Sequence, residues 1–142
     1  MEKTVKKYLL ALFVICLAIS ACSPKSTSTS LIGTWKLTSY GPVSSPTPAV
    51  ADAEASLTFN SDGTVTGNGG CNGLGGDYEV KDDQITFGPI MSTLMACDGP
   101  RMEQEDVVHQ VMTETANFKI DGNALTITKD DTVLVFELVA AE

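Results

Sequence analysis

Short alternating runs of apolar and polar residues, each closed by a turn built from Asp, Asn, Gly or Lys, fill the chain from Leu31 onward. The period of two suits a strand with one buried face, and the runs are too short for helices. Trp35-Lys36-Leu37-Thr38-Ser39-Tyr40 reads as a first strand. Ser56-Leu57-Thr58-Phe59 reads as a second, and Asn60-Ser61-Asp62-Gly63 turns it into Thr64-Val65-Thr66, because an Asp-Gly pair accepts the positive φ of a tight hairpin. Tyr78 and Val80 share a strand, which Lys81-Asp82-Asp83 turns into Ile85-Thr86-Phe87; Ile90 to Met95 reads as another. Phe118-Lys119-Ile120, Leu125-Thr126-Ile127 and Val133-Leu134-Val135-Phe136 close the chain, separated by Asp121-Gly122-Asn123 and Lys129-Asp130-Asp131.

Two segments break the pattern. Gly41 to Glu54 is rich in Pro, Ser and Ala and reads as a surface loop. Asp98-Gly99-Pro100 starts a helix, since proline in the first turn lacks only an N–H that would have no intrahelical partner. Val107, Val108, Val111 and Met112 share one face of it, Glu103, Glu105 and Asp106 complement the dipole of the early turns, and the helix is expected to end near Asn117. About eight strands and one helix imply an α+β fold: a curved antiparallel sheet forming a partly closed barrel, with one helix packed against it. A membrane-spanning barrel needs longer strands and aromatic girdles, and aromatic residues are only 6% of this chain.

The first 22 residues have a different texture. Lys3, Lys6 and Lys7 precede an unbroken apolar run from Tyr8 to Ala18, and Ile19-Ser20-Ala21-Cys22 follows. The run is too short to span a bilayer and has the order of a secretory signal. The tetrapeptide resembles the bacterial lipobox, which implies lipidation at Cys22, removal of residues 1–22, and a flexible polar tether over 23–30 before a domain at 31–139. The rival is an ordinary signal cleaved nearby with Cys22 left free. Ser23 after the cysteine resembles the sorting signal for an outer membrane facing the periplasm, if the host is diderm. Losing Lys3, Lys6, Lys7 and Glu2 would take the net charge from −9 to −11. So acidic a chain repels nucleic acid and anionic lipid surfaces, leaving lipid as the membrane attachment.

With Cys16 in the leader and Cys22 lipidated, Cys71 and Cys97 remain in an oxidising compartment. The even count points to a disulfide, with a reactive dithiol or a metal pair as rivals. A metal pair would need His109, Asp98 or Asp62 as further ligands, and no zinc spacing is present; Asn60-Ser61-Asp62-Gly63 lacks the remaining ligands of a calcium loop. No metal or cofactor is expected. The glycine-rich Gly67 to Gly76 lacks the Lys-Ser/Thr ending of a phosphate loop and reads as a bulged or tightly curved strand, in which Asn72 caps a turn. His109, the only histidine, has no paired nucleophile and reads as a half-exposed helix residue. Asp82-Asp83 and Asp130-Asp131 read as solvated turns, and Trp35 and Tyr78 as core aromatics.

Gly33-x-Trp35-x-Leu37, Leu57-x-Phe59, Gly70-Cys71-Asn72-x-x-x-Gly76-x-Tyr78 and Thr93-x-Met95-Ala96-Cys97 together resemble the META domain family, whose members include a heat-shock lipoprotein. The resemblance covers about residues 31–139. It implies a curved antiparallel sheet with a helix, a cell-envelope setting and a link to stress tolerance, and it supplies no reaction, so no catalytic residue is assigned. The expected role is non-enzymatic: a monomeric lipoprotein that binds another envelope component, an envelope protein or a hydrophobic ligand, or contributes to stress tolerance. The alternative is a lipid- or small-hydrophobe-binding module acting as a chaperone.

Overall fold

A computed structural model describes residues 30–140. The expected leader, Cys22 and nearly all of the expected tether lie outside the described residues. Ten strands follow in chain order: β1 (Gly33–Pro42), β2 (Thr47–Pro48), β3 (Ser56–Phe59), β4 (Thr64–Asn68), β5 (Gly73–Lys81), β6 (Gln84–Phe87), β7 (Met91–Ser92), β8 (Glu114–Asp121), β9 (Ala124–Lys129) and β10 (Thr132–Ala140). One α-helix, α1 (Gly99–Val111), lies between β7 and β8.

Eight of the strands close into an antiparallel barrel in the order β1-β3-β4-β5-β6-β8-β9-β10, with β10 returning to β1. The sheet expected to be partly closed therefore closes fully. Trp35 pairs with Leu138, Leu37 with Phe136 and Tyr40 with Leu134 across the seam. The register slips between Leu37 and Ser39. This bulge moves the inward phase of β1 from odd to even positions, so that Trp35, Leu37 and Tyr40 all reach the interior. Closure leaves the barrel itself no free edge.

Alternation fills the lumen. Leu57 and Phe59 of β3, Val65 of β4, Ile85 and Phe87 of β6, Leu125 and Ile127 of β9, and Leu134 and Phe136 of β10 form one apolar cluster with Trp35, Val108, Val111 and Met112. The Trp35 indole N–H is satisfied by the Leu31 carbonyl at 2.8 Å, so a polar atom is buried without penalty. Tyr78 is only half-buried; it packs edge-to-face on Phe59 with centroids 5.1 Å apart and donates its hydroxyl to the Asn60 carbonyl.

Several boundaries differ from the sequence reading. The 41–54 loop holds β2, which pairs with β1, and a 3-10 turn at Ala51–Ala53. Helix α1 begins as expected, with the Asp98 side chain accepting from the Arg101 N–H, but it ends at Val111 rather than near Asn117. Thr113 returns its hydroxyl to the Gln110 carbonyl, Glu114 takes a left-handed φ of 60°, and Thr115 and Ala116 already pair with β6. The pairing with Thr86 and Ile85 offers these residues ladder bonds and buries Ala116, which outcompetes another helical turn. Gly67 to Gly76 is not one curved strand but the end of β4, a turn over residues 69–72 and the start of β5. Of the strand expected over Ile90 to Met95, only Met91–Ser92 pairs, with β5.

Candidate functional site

The distinctive residues of the sequence converge on one side of the barrel, where the turn between β4 and β5, the segment after β7, and α1 meet. Glu105 is the centre of this junction. Its carboxylate is buried, and it accepts from the Cys71 N–H at 2.9 Å, the Asn72 N–H at 2.5 Å and the Asn72 amide Nδ2 at 2.7 Å. Burial pushes the Glu105 carboxyl up, but the donors of Asn72 and Cys71, with His109 nearby, outweigh it and hold the group below its ordinary value.

Asn72 passes the connection on. Its Oδ1 accepts from the Thr93 hydroxyl at 2.8 Å and the Met95 N–H at 2.7 Å, while Nδ2 also donates to the Met95 carbonyl at 3.2 Å. Asn72 thus does not cap its own turn, as the sequence suggested. That task falls to Asn68, whose Oδ1 accepts from the Gly70 N–H at 2.7 Å. Gln104, also fully buried, accepts from the Val50 N–H at 2.7 Å and donates to the Gly69 carbonyl at 3.0 Å, which ties in the 41–54 segment. Among the described residues no buried side-chain polar atom lacks a partner. A disulfide joins Cys71 to Cys97, with Cα atoms 5.9 Å apart, and locks the same junction covalently.

Close approach requires glycine at both positions 70 and 76 of the family motif, as it does at Gly67, where a Cβ would overlap the Ser56 carbonyl oxygen. Gly70 has φ 151°, and a Cβ there would stand 2.8 Å from the Arg101 carbonyl oxygen and 3.0 Å from Gln104 Nε2. A Cβ on Gly76 would stand 2.8 Å from the Pro89 carbonyl oxygen. The structure therefore gathers Gly70, Cys71, Asn72, Thr93, Met95 and Cys97 into one clasp, with Gly76 beside it and Tyr78 farther along β5, on the Phe59 ring. Ala96 lines the cleft above.

Glu105 and Gln104 were not singled out from the sequence as site residues; Glu105 was read only as a carboxylate favourable to the helix dipole. The signal was present: residues 104, 108 and 111, and residues 105, 108 and 112, fall at the spacings of one helix face. Polar residues on a face that otherwise buries Val108, Val111 and Met112 must find partners inside.

The clasp holds an unusual stretch at the surface. Met91 is 78% exposed, Leu94 96% and Met95 57%. Between residues 92–96 and the outer side of α1 lies a cleft of about 400 Å³, lined by Thr93, Met95, Ala96, Met102, Asp106 and His109 among others. His109 is half-exposed there, as expected. Among the described residues no three His, Cys, Asp or Glu side chains converge as metal ligands. Asp82 and Asp130 occupy left-handed turn positions. Asp62 accepts from the Thr64 N–H and hydroxyl, which lowers its pKa and satisfies the turn.

The family model of the META domain matches residues 29–141. The chain belongs to the META domain family. Solved structures resemble this META domain over most of its length. A protein from Burkholderia xenovorans, solved by NMR, is 23% identical with a TM-score of 0.65, covering 76% of this chain and 82% of that one. A protein from Bacteroides eggerthii DSM 20697 is 16% identical with a TM-score of 0.51, covering 77% and 99%. A DUF4847 family protein from Bacteroides vulgatus ATCC 8482 is 15% identical with a TM-score of 0.51, covering 74% and 91%. At these identities the likeness is one of fold. No curated protein matches the chain.

Proposed function

We propose that this META domain is a non-enzymatic binding module, tethered by lipid on Cys22 to the cell envelope, on an outer membrane facing the periplasm where the host has one. The observation that carries the binding reading is the fixed presentation of Met91, Leu94 and Met95: large apolar side chains in water, on a segment held by Asn72, Glu105 and a disulfide. A displayed apolar patch on a rigid frame suits a protein contact. The residues with catalytic chemistry at this junction, Glu105, Asn72, Cys71 and Cys97, are instead occupied by structural bonds. The charged leader, the apolar run and Ile19-Ser20-Ala21-Cys22 support the anchor, and a disulfide is consistent with an oxidising compartment. A role in stress tolerance would follow from the envelope partner rather than from a reaction.

The alternative role, as carrier of a lipid or small hydrophobe, has no support from the lumen, where side chains occupy the space that a ligand takes in larger barrels. Two arms test the proposal in a diderm host. A clickable fatty acid should label the wild-type protein in membranes and fail to label Cys22→Ala; equal labelling of both would overturn the anchor. A photo-crosslinking amino acid at position 94 should give discrete adducts with an envelope protein that position 119, on an exposed face of β8, does not give. Indistinguishable patterns at the two positions would overturn the binding face.

A further inference from the structure

Beyond the expected leader the chain has four methionines, Met91, Met95, Met102 and Met112. Their exposure is graded. Met91 and Met95 stand in water on either side of Leu94 in the chain, Met102 is half-buried, and Met112 is fully buried in the core. Both exposed thioethers are carried on fixed backbone. Met91 pairs with Gly75 of β5, the Thr93 N–H donates to the Gly73 carbonyl at 3.0 Å, and Met95 is held on Asn72 through its N–H and its carbonyl. No hydrogen bond of the clasp uses a methionine sulfur. Cys71 and Cys97 are already joined, so the sulfurs that an oxidant meets first among the described residues are those of Met91 and Met95.

We propose that Met91 and Met95 are sites of reversible oxidation to the sulfoxide, and that this modification switches the docking face off; the switch, though not the modification, rests on the docking reading above. The oxidant is an electrophilic two-electron species of the hypochlorous acid class. A sulfur lone pair takes the chlorine and hydroxide leaves; water then adds to the chlorosulfonium sulfur, chloride departs and two protons are lost. The balance is one thioether and one hypochlorous acid to one sulfoxide, one chloride and one proton, with the two electrons lost by sulfur gained by chlorine. In the reverse direction a methionine sulfoxide reductase passes two electrons from a dithiol, which becomes a disulfide, and the oxygen leaves as water. The sulfoxide replaces a flexible apolar group by a polar one, and a partner packed on thioethers would have to bury the new oxygen without a donor. The domain itself bears the change, because neither side chain belongs to the core and the clasp is made by backbone groups, Asn72, Thr93 and Glu105. Met112 is the opposite case: an added oxygen would disrupt close packing, and burial keeps its sulfur out of reach.

The test treats the full chain in detergent micelles, disulfide intact, with hypochlorous acid at one equivalent per exposed thioether, and reads it by peptide mass mapping and urea unfolding. Met91 and Met95 should gain oxygen first, Met102 should lag and Met112 should stay reduced, with the urea midpoint unchanged. The same protein carrying the photo-crosslinking amino acid at position 94 is oxidised, freed of oxidant and only then mixed with untreated envelopes, so that the partner is never oxidised. Its adduct yield should fall roughly tenfold and return after treatment with methionine sulfoxide reductases and a dithiol. In Met91→Leu/Met95→Leu the yield, whatever its starting level, should not respond to the oxidant, since leucine keeps the apolar volume and has no sulfur. Oxidation of Met112 as early as Met91 and Met95, or unfolding that accompanies the first two oxygens, would overturn the proposed sites. Equal adduct yields from oxidised and reduced wild type, or a loss in the leucine variant as large as in wild type, would overturn the switch. A reduced protein that gives no adducts would overturn the docking reading and the switch with it, whereas the sites stand or fall by the masses alone.

Discussion

Replacing Glu105 by Gln changes one oxygen to an NH2 group and should cost the domain about 2–4 kcal/mol. The carboxylate accepts three hydrogen bonds, two from backbone N–H groups and one from Asn72 Nδ2. Hydrogen bonds to a charged group contribute about 1.5–3 kcal/mol each. In the variant the remaining oxygen can face the backbone pair, but the new NH2 then opposes Asn72 Nδ2, donor against donor. Asn72 cannot turn over to resolve this, because its Oδ1 is engaged by Thr93 and Met95. The loss is therefore at least one charged bond plus an unfavourable contact, a large part of a net stability of about 5–15 kcal/mol. Urea unfolding at neutral pH, disulfide intact, measures it from the midpoint at constant slope. The pH dependence provides a second check. The folded Glu105 carboxyl lies below its ordinary value of 4.5, so its contribution is present above that value and fades as the pH falls through the folded one. The gap between wild type and Glu105→Gln should be full at neutral pH and should close in acid. A variant within about 0.5 kcal/mol of wild type, in the range of an ordinary surface change, would refute the reasoning.

Other expectations follow from the same junction. Gly70→Ala should destabilise by about 2 kcal/mol or more, since its Cβ meets the Arg101 carbonyl at 2.8 Å; thermal unfolding reads the loss. Reducing the Cys71–Cys97 bridge, which closes a loop with a sequence separation of 26, should cost about 3.5 kcal/mol on the chain-entropy account, measured by urea unfolding with and without reductant. Gln104→Leu should lower stability by about 1–3 kcal/mol by stranding the Val50 N–H and the Gly69 carbonyl, and should raise amide exchange at Val50.

Much of the barrel was legible because its strands are short, alternate strictly and end in turns with a fixed chemistry. Ser56 to Phe59, Gln84 to Phe87 and Ala124 to Thr128 bury every second residue, and the period alone assigns their inward face. What the sequence hid were places where tertiary pairing outranks local preference. Thr115 to Asn117 continue a helical reading but take ladder bonds from β6. Ile90 to Met95 have the composition of a strand, yet beyond Ser92 their polar groups are claimed by Asn72 and Gly73. The motif residues were recognisable as a set, but their connection through Glu105 was not, because a glutamate in a helix reads as solvent-facing until its neighbours on the same face are counted.

Amide hydrogen exchange at Met95 tests most directly whether the motif is a clasp that fixes the displayed segment. Its N–H donates to a side chain, Asn72 Oδ1, and not to a strand ladder, so its protection reports the clasp itself. Met95 should exchange slowly in the wild-type protein. In Asn72→Ala it should become fast, while Ile127 in the barrel stays protected relative to it. A Met95 amide that already exchanges at the unprotected rate in the wild type would contradict the account.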